Sequence, residues 1–111
     1  MSEGVFKAAL REHLWRQAKI EAVKAGNWPG LKPGMLVVNK NDKDMNRVYE
    51  IFICSDNVAT VRPLDEDGDT IQITRNFPLK ELVSTNEILT IYDRLIRKAG
   101  YSPKELYNLK T

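Results

Sequence analysis

Reactive side chains are scarce in this chain. Its 111 residues hold one cysteine, Cys54, and one histidine, His13. A single cysteine excludes an internal disulfide framework. A Cys–His catalytic pair would have to join Cys54, at the end of a predicted strand, to His13, on a predicted helix, and no local signature surrounds either. Cys54 reads instead as a small core residue. The sequence therefore predicts no enzymatic chemistry, no cofactor and no small-molecule substrate. Also missing is any run of about eighteen apolar residues, so no membrane-spanning helix is expected. Met1 to Leu10 lacks the apolar stretch of a signal peptide, which with the unpaired cysteine points to a reducing, cytoplasmic setting.

Charge of one sign is equally sparse, with a formal net charge of +2. Residues 1–27 carry Lys7, Arg11, Arg16, Lys19 and Lys24 against Glu3, Glu12 and Glu21, and residues 84–111 show the same excess. The middle is slightly acidic. Two mildly basic ends could steer an anionic partner, although scatter of this size is common.

What remains is ordinary globular material, 42% hydrophobic and 29% charged, of a length that suits one domain. Three parts follow from the patterning: an N-terminal helix in 1–27, a small sheet in 31–83 and a helical pair in 84–111. In the first, Phe6, Leu10, Leu14, Ala18 and Ala22 recur every four residues as a helical stripe. Gly26-Asn27 and Trp28-Pro29-Gly30 end that helix. In the last, Ser84 with Glu87 and Ser102 with Glu105 read as capping boxes, the second with Pro103 at the first helical position. Ala99-Gly100 separates the two helices.

The middle part carries the architecture. Four apolar runs, Met35–Lys40, Val48–Cys54, Val58–Leu64 and Thr70–Phe77, are separated by turn residues. Alternation puts Tyr49, Ile51 and Ile53 on one face of the second strand, with Val48, Phe52 and Cys54 on the other. Ala59, Val61, Ile71 and Ile73 should point inward, and Thr60, Arg62, Gln72 and Thr74 outward. Strand two is then apolar on both faces, which an antiparallel sheet open to water on one side should not be. The N-terminal helix is the natural cover for Phe52. Asp65, Asp67 and Asp69 beside Gly68 invite a calcium reading, but Thr74 stands where an EF-hand loop needs glutamate. An acidic turn accounts for them better.

The stretch Leu31-Lys32-Pro33-Gly34-Met35-Leu36-Val37-Val38 resembles the opening of an SH3-like barrel of the Tudor or KOW kind. A hairpin from Val48 to Leu64 and a short 3₁₀ turn within Phe77 to Leu82 extend the likeness over about half the chain. Two features depart from it. Lys40 to Arg47 lacks the glycine of a KOW motif, and Tyr49, Phe52 and Phe77 are too few for the aromatic cage of a methyl-reading Tudor domain. The resemblance implies a binding module rather than an enzyme.

The expected protein is thus α+β: an SH3-like antiparallel barrel of four to five strands, with a long N-terminal helix and a C-terminal helical pair packed on it. Its expected function is a protein-interaction adaptor, with a second copy among the conceivable partners. Trp15, at the edge of the packed helix face, and Trp28, in the following turn, are candidate anchors with Phe52 and Arg62. Clamping the helix to the barrel is the plainer account of each tryptophan. The alternative is a nucleic-acid-associated regulator using Lys7, Arg11, Arg16 and Lys19 on the helix and Arg47, Arg62 and Arg75 on the sheet.

Overall fold

A computed structural model describes residues 3–26 and 30–107. Trp28, the Asn27 cap and the end of the chain from Asn108 lie outside the described residues. The elements are α1 (Glu3–Ala25), β1 (Leu36–Asn39), β2 (Val48–Ser55), β3 (Val58–Pro63), β4 (Arg75–Pro78), β5 (Leu82–Ser84), α2 (Thr85–Lys98) and α3 (Pro103–Tyr107), with 3₁₀ turns at Lys43–Met45 and Leu79–Glu81. The architecture is α+β, and all the strand pairs are antiparallel.

Local chemistry sets most of the boundaries. Ser84 Oγ accepts the Asn86 amide and starts α2. At its other end Gly100 takes φ +93°, its amide reaches the Arg97 carbonyl, and the Tyr101 amide reaches that of Ile96. That is a Schellman stop, which needs the left-handed conformation glycine adopts freely. The capping box of α3 is reciprocal: Ser102 Oγ accepts the Glu105 amide while Glu105 Oε1 accepts the Ser102 amide.

The sheet runs in the order β4-β3-β2-β1-β5 and separates two cores. On its inner face Val37, Tyr49, Ile51, Ala59, Val61 and Leu82 gather with Leu31 and Leu79. On its outer face Val38 and Val83 join Leu14, Ala18 and Ala22 of α1 and Ile88, Ile91, Tyr92 and Ile96 of α2. Successive strand residues face opposite ways, so Val37 enters one core and Val38 the other. Phe6 departs from the expected stripe and is 51% exposed. A four-residue repeat drifts about 40° per step on a helix of 3.6 residues per turn, so its first member rotates off the face that its later members bury.

The sheet is open, which corrects the expectation of a closed barrel. β4 and β5 are its two edges and do not pair with each other. The cause lies in the segment expected to form a long fourth strand. Between the Leu64–Thr70 bridge and Arg75 the Ile73 amide folds back on the Ile71 carbonyl at 2.8 Å, so the chain turns instead of extending. Only four residues remain for β4. Ile73 consequently lies 57% exposed rather than inward, and Ile71 is half-buried. Before this segment Asp65 Oδ1 accepts the amides of Asp67 and Asp69, so its carboxylate is used to close the turn.

A bulge corrects the faces of β2. Ile51 stands opposite Val61 but Ile53 opposite Thr60, leaving Phe52 as the extra residue. Beyond it the alternation inverts: Ile53 is 50% exposed, and Cys54 packs on the inner core in its place. Nor does α1 cover Phe52, which is 48% exposed, because α1 packs against α2 while α2 lies over β1 and β5. Burial should therefore rank the two isoleucines far apart. Ile51→Ala should cost about 2–4 kcal/mol in urea unfolding, whereas Ile53→Ala should stay within about 0.5 kcal/mol.

At the inner core's rim the Tyr49 hydroxyl donates to Asp42 Oδ2 at 3.0 Å. Burial, then this hydrogen bond and the Asp42 charge, raise the Tyr49 pKa above its ordinary value. A raised pKa means that folding favours the protonated phenol. Its contribution is complete below about pH 10 and is lost as pH rises through the folded-state value. Tyr49→Phe should lower stability at neutral pH by about 1 kcal/mol and make the alkaline fall shallower, as read from denaturation midpoints across pH.

Candidate functional site

Trp15 is the point where the helical layer meets the sheet. Its position on α1 lies between the residues that bury against α2 and those that face solvent, so the indole is only half-covered. One edge is held: the Trp15 and Tyr92 rings meet edge to face at 5.1 Å. Tyr92 is itself buried, which raises its pKa, while the nearby Arg11 charge acts in the opposite direction.

Three hollows open around this one side chain. The first, about 590 Å³, lies between α1 and the Lys43–Met45 turn and is lined by Arg16, Lys19, Ile20, Asp42 and Asn46 as well as Trp15. The second, about 510 Å³, runs between α1 and α2 beside Arg11, Glu12 and Leu89. The third, about 560 Å³, lies over the outer face of the sheet between Leu36, Val48, Leu64 and Leu89. Leu36 and Leu89 remain 39% and 43% exposed there. The rim is mixed in sign, with Glu12, Arg16, Asp42, Arg47 and Glu66 at its edges.

Of the basic residues predicted on α1, most have work inside the molecule. Lys19 is the clearest correction: it is 7% exposed, its ammonium donates to Asn46 Oδ1 at 2.8 Å, and it lies 5.5 Å from the Trp15 ring centroid. It was expected to offer its charge to nucleic acid, but Asn46, on the loop before β2, takes that charge within the chain. Arg11 donates to the Leu106 carbonyl, and Lys7 lies over the Tyr101 ring. Arg16 is exposed and forms a loose pair with Glu12 at 3.8 Å. No continuous basic face results.

On the sheet, Arg47 and Arg75 are exposed, Arg47 just before β2 and Arg75 at the start of β4, where their charges both reach Tyr49. Arg62 behaves differently. Its guanidinium lies 4.2 Å from the Phe52 ring centroid, and its Nε is buried without a hydrogen-bond partner. Arg62 was expected to point outward, as it does, whereas Phe52 was expected under α1. Leu36 and Leu89 were missed. The signal for Leu89 was its place on the helix: at about 100° per residue it falls just beyond the arc that Ile88, Ile91, Tyr92 and Ile96 bury.

Among the described residues, no group of three or more His, Cys, Asp or Glu is placed to hold a metal ion, and no helix is long and apolar enough to cross a membrane. Comparison with protein-family models, curated proteins and solved structures found no match for this chain.

The burial of Lys19 makes a test within one helix. Lys19→Glu should destabilise the fold by more than about 2 kcal/mol, because it places a carboxylate against Asn46 and the indole face. Arg16→Glu, one turn away and exposed, should change thermal stability by no more than about 0.5 kcal/mol.

Proposed function

We propose that this protein is a non-enzymatic interaction module whose partner is another protein, bound where α1, α2 and the outer sheet face converge on Trp15. The observation that carries this reading is that three adjoining hollows share that one half-covered indole. A large aromatic already fixed on one side by Tyr92 loses little freedom on binding, which is why such residues dominate interface energetics. Apolar Leu36 and Leu89 beside it, with charges of both signs around the rim, suit a folded or peptide partner better than a polyanion. Engagement of Lys7, Arg11 and Lys19 within the chain weighs the same way.

The strand order and the 3₁₀ turn between β4 and β5 support reading the sheet as an opened SH3-like barrel. Cytoplasmic residence fits the unpaired Cys54. A nucleic-acid role draws its support from one contact, the Arg62 guanidinium stacked on exposed Phe52, where a base or phosphate could add.

Affinity capture with the tagged chain at low and high salt separates these readings. The protein reading expects a partner retained at high salt and weakened about thirtyfold by Leu89→Glu, an exposed change that leaves the cores intact. Capture that vanishes with salt or nuclease, ignores Leu89→Glu and is abolished by Arg62→Glu would replace it with the nucleic-acid reading.

A further inference from the structure

The outer face of the sheet is only half covered. Over Val38, Val83 and Val48 at the start of β2 it carries α1 and α2, but among the described residues no helix packs over the rest of β2, β3 and β4. A strand face turned to water ordinarily alternates apolar with polar residues. Here the bulge turns Phe52 and Ile53 outward together, at 48% and 50% exposure, and Val58 on β3 is 42% exposed. The run Tyr49–Cys54 thus has the composition of a strand buried on both faces, while the single chain buries one.

Charge on this face has a particular arrangement. Glu50 stands directly opposite Arg62 in the β2–β3 register, so the two side chains share the outer face. Among the described residues no ion pair joins them. Arg62 lies over Phe52 instead, with its Nε buried and unsatisfied. Buried polar groups are normally paired, and among the described residues none accepts from this one. A surface with an acid and a base side by side is complementary to its own image rotated by half a turn.

We propose that two copies of this chain pack the open halves of their sheets face to face, across a twofold axis running between β2 and β3. That axis sets Glu50 of each copy against the partner's Arg62, and it brings Phe52, Ile53 and Val58 of both copies into one apolar layer. Such isologous contacts are the commonest route to dimers. The strength follows from the size. The six residues of β2 from Glu50 to Ser55 span about 20 Å and three strands about 14 Å, a footprint of about 280 Å² per copy. This falls below the roughly 800 Å² per partner of a standard interface. The association is therefore weak and concentration-dependent. The surface adjoins the Trp15 groove on the same sheet face, but Glu50, Phe52, Ile53, Val58 and Arg62 line none of its hollows, so variants at these positions leave the test of the proposed function distinct.

Light scattering and sedimentation over a wide concentration range test it. The mass should climb from 12.7 kDa towards twice that value as concentration rises. Phe52→Ser with Ile53→Ser, both at exposed positions, should weaken association at least tenfold while circular dichroism stays unchanged. Arg62→Glu should do the same, and adding Glu50→Arg to it should restore dimerisation, since the swapped pair is again self-complementary. In the unaltered chain, amide shifts on dilution should centre on Phe52, Ile53 and Val58. A constant mass of 12.7 kDa would overturn the proposal. So would a dimer indifferent to the double serine variant, dilution shifts centred elsewhere, or oligonucleotide binding lost with Phe52→Ser in a chain that stays monomeric.

Discussion

Val37 and Val38 are neighbours in the chain and lie in different cores. The rest of the architecture depends on that split. With Leu82 and Val83 repeating it on the adjacent strand, β1 and β5 must be buried on both faces. The inner face is closed by the sheet's own curl with Leu31 and Leu79. The outer one can be closed only by helices, and Ile88, Ile91, Tyr92 and Ile96 of α2 supply the apolar stripe that fits it. The alanines of α1 then allow close approach to α2, since Ala18 and Ala22 are fully buried where bulkier side chains would hold the helices apart.

This arrangement leaves one half of the molecule more finished than the other. Around β1, β5 and α2, caps, stops and both cores agree with one another, which is the consistency expected of a well-specified fold. Around β2, β3 and β4 the outer face stays open and retains apolar side chains. The β2 bulge is central to this contrast. By adding one residue it keeps Tyr49, Ile51 and Cys54 on the inner core while turning Phe52 and Ile53 outward in succession. Bulges re-aim side chains in this way, and they concentrate where a strand serves more than packing.

The two candidate surfaces differ in kind. At Trp15 the interest is concavity: an aromatic held by Tyr92, with hollows on three sides and a mixed-charge rim. On β2 and β3 it is an exposed apolar area with opposite charges side by side in register. The basic residues of α1 that were candidates for nucleic acid are mostly engaged within the chain, Arg16 being the exposed exception. Lys19 shows why. A long side chain can bury its stem against a neighbour while its ammonium finds an oxygen, so helical position alone does not decide exposure.

Sequence by itself determined the α+β class, the three-part order, the first three strands and both C-terminal helix starts, because each depends on a few adjacent residues. Ser84 caps α2 locally, Ser102 and Glu105 cap each other, and Gly100 ends α2 through its own φ. The outward position of Arg62 was legible for the same reason, from alternation along its own strand. Tertiary structure decided the rest. The bulge at Phe52, the fold-back at Ile71–Ile73 that kept the sheet open, and the packing of α1 on α2 rather than over Phe52 each arise from competition between distant segments. Periodicity assumes an uninterrupted strand and a helix facing one partner. It holds until a single extra residue, such as Phe52, inverts every side chain that follows.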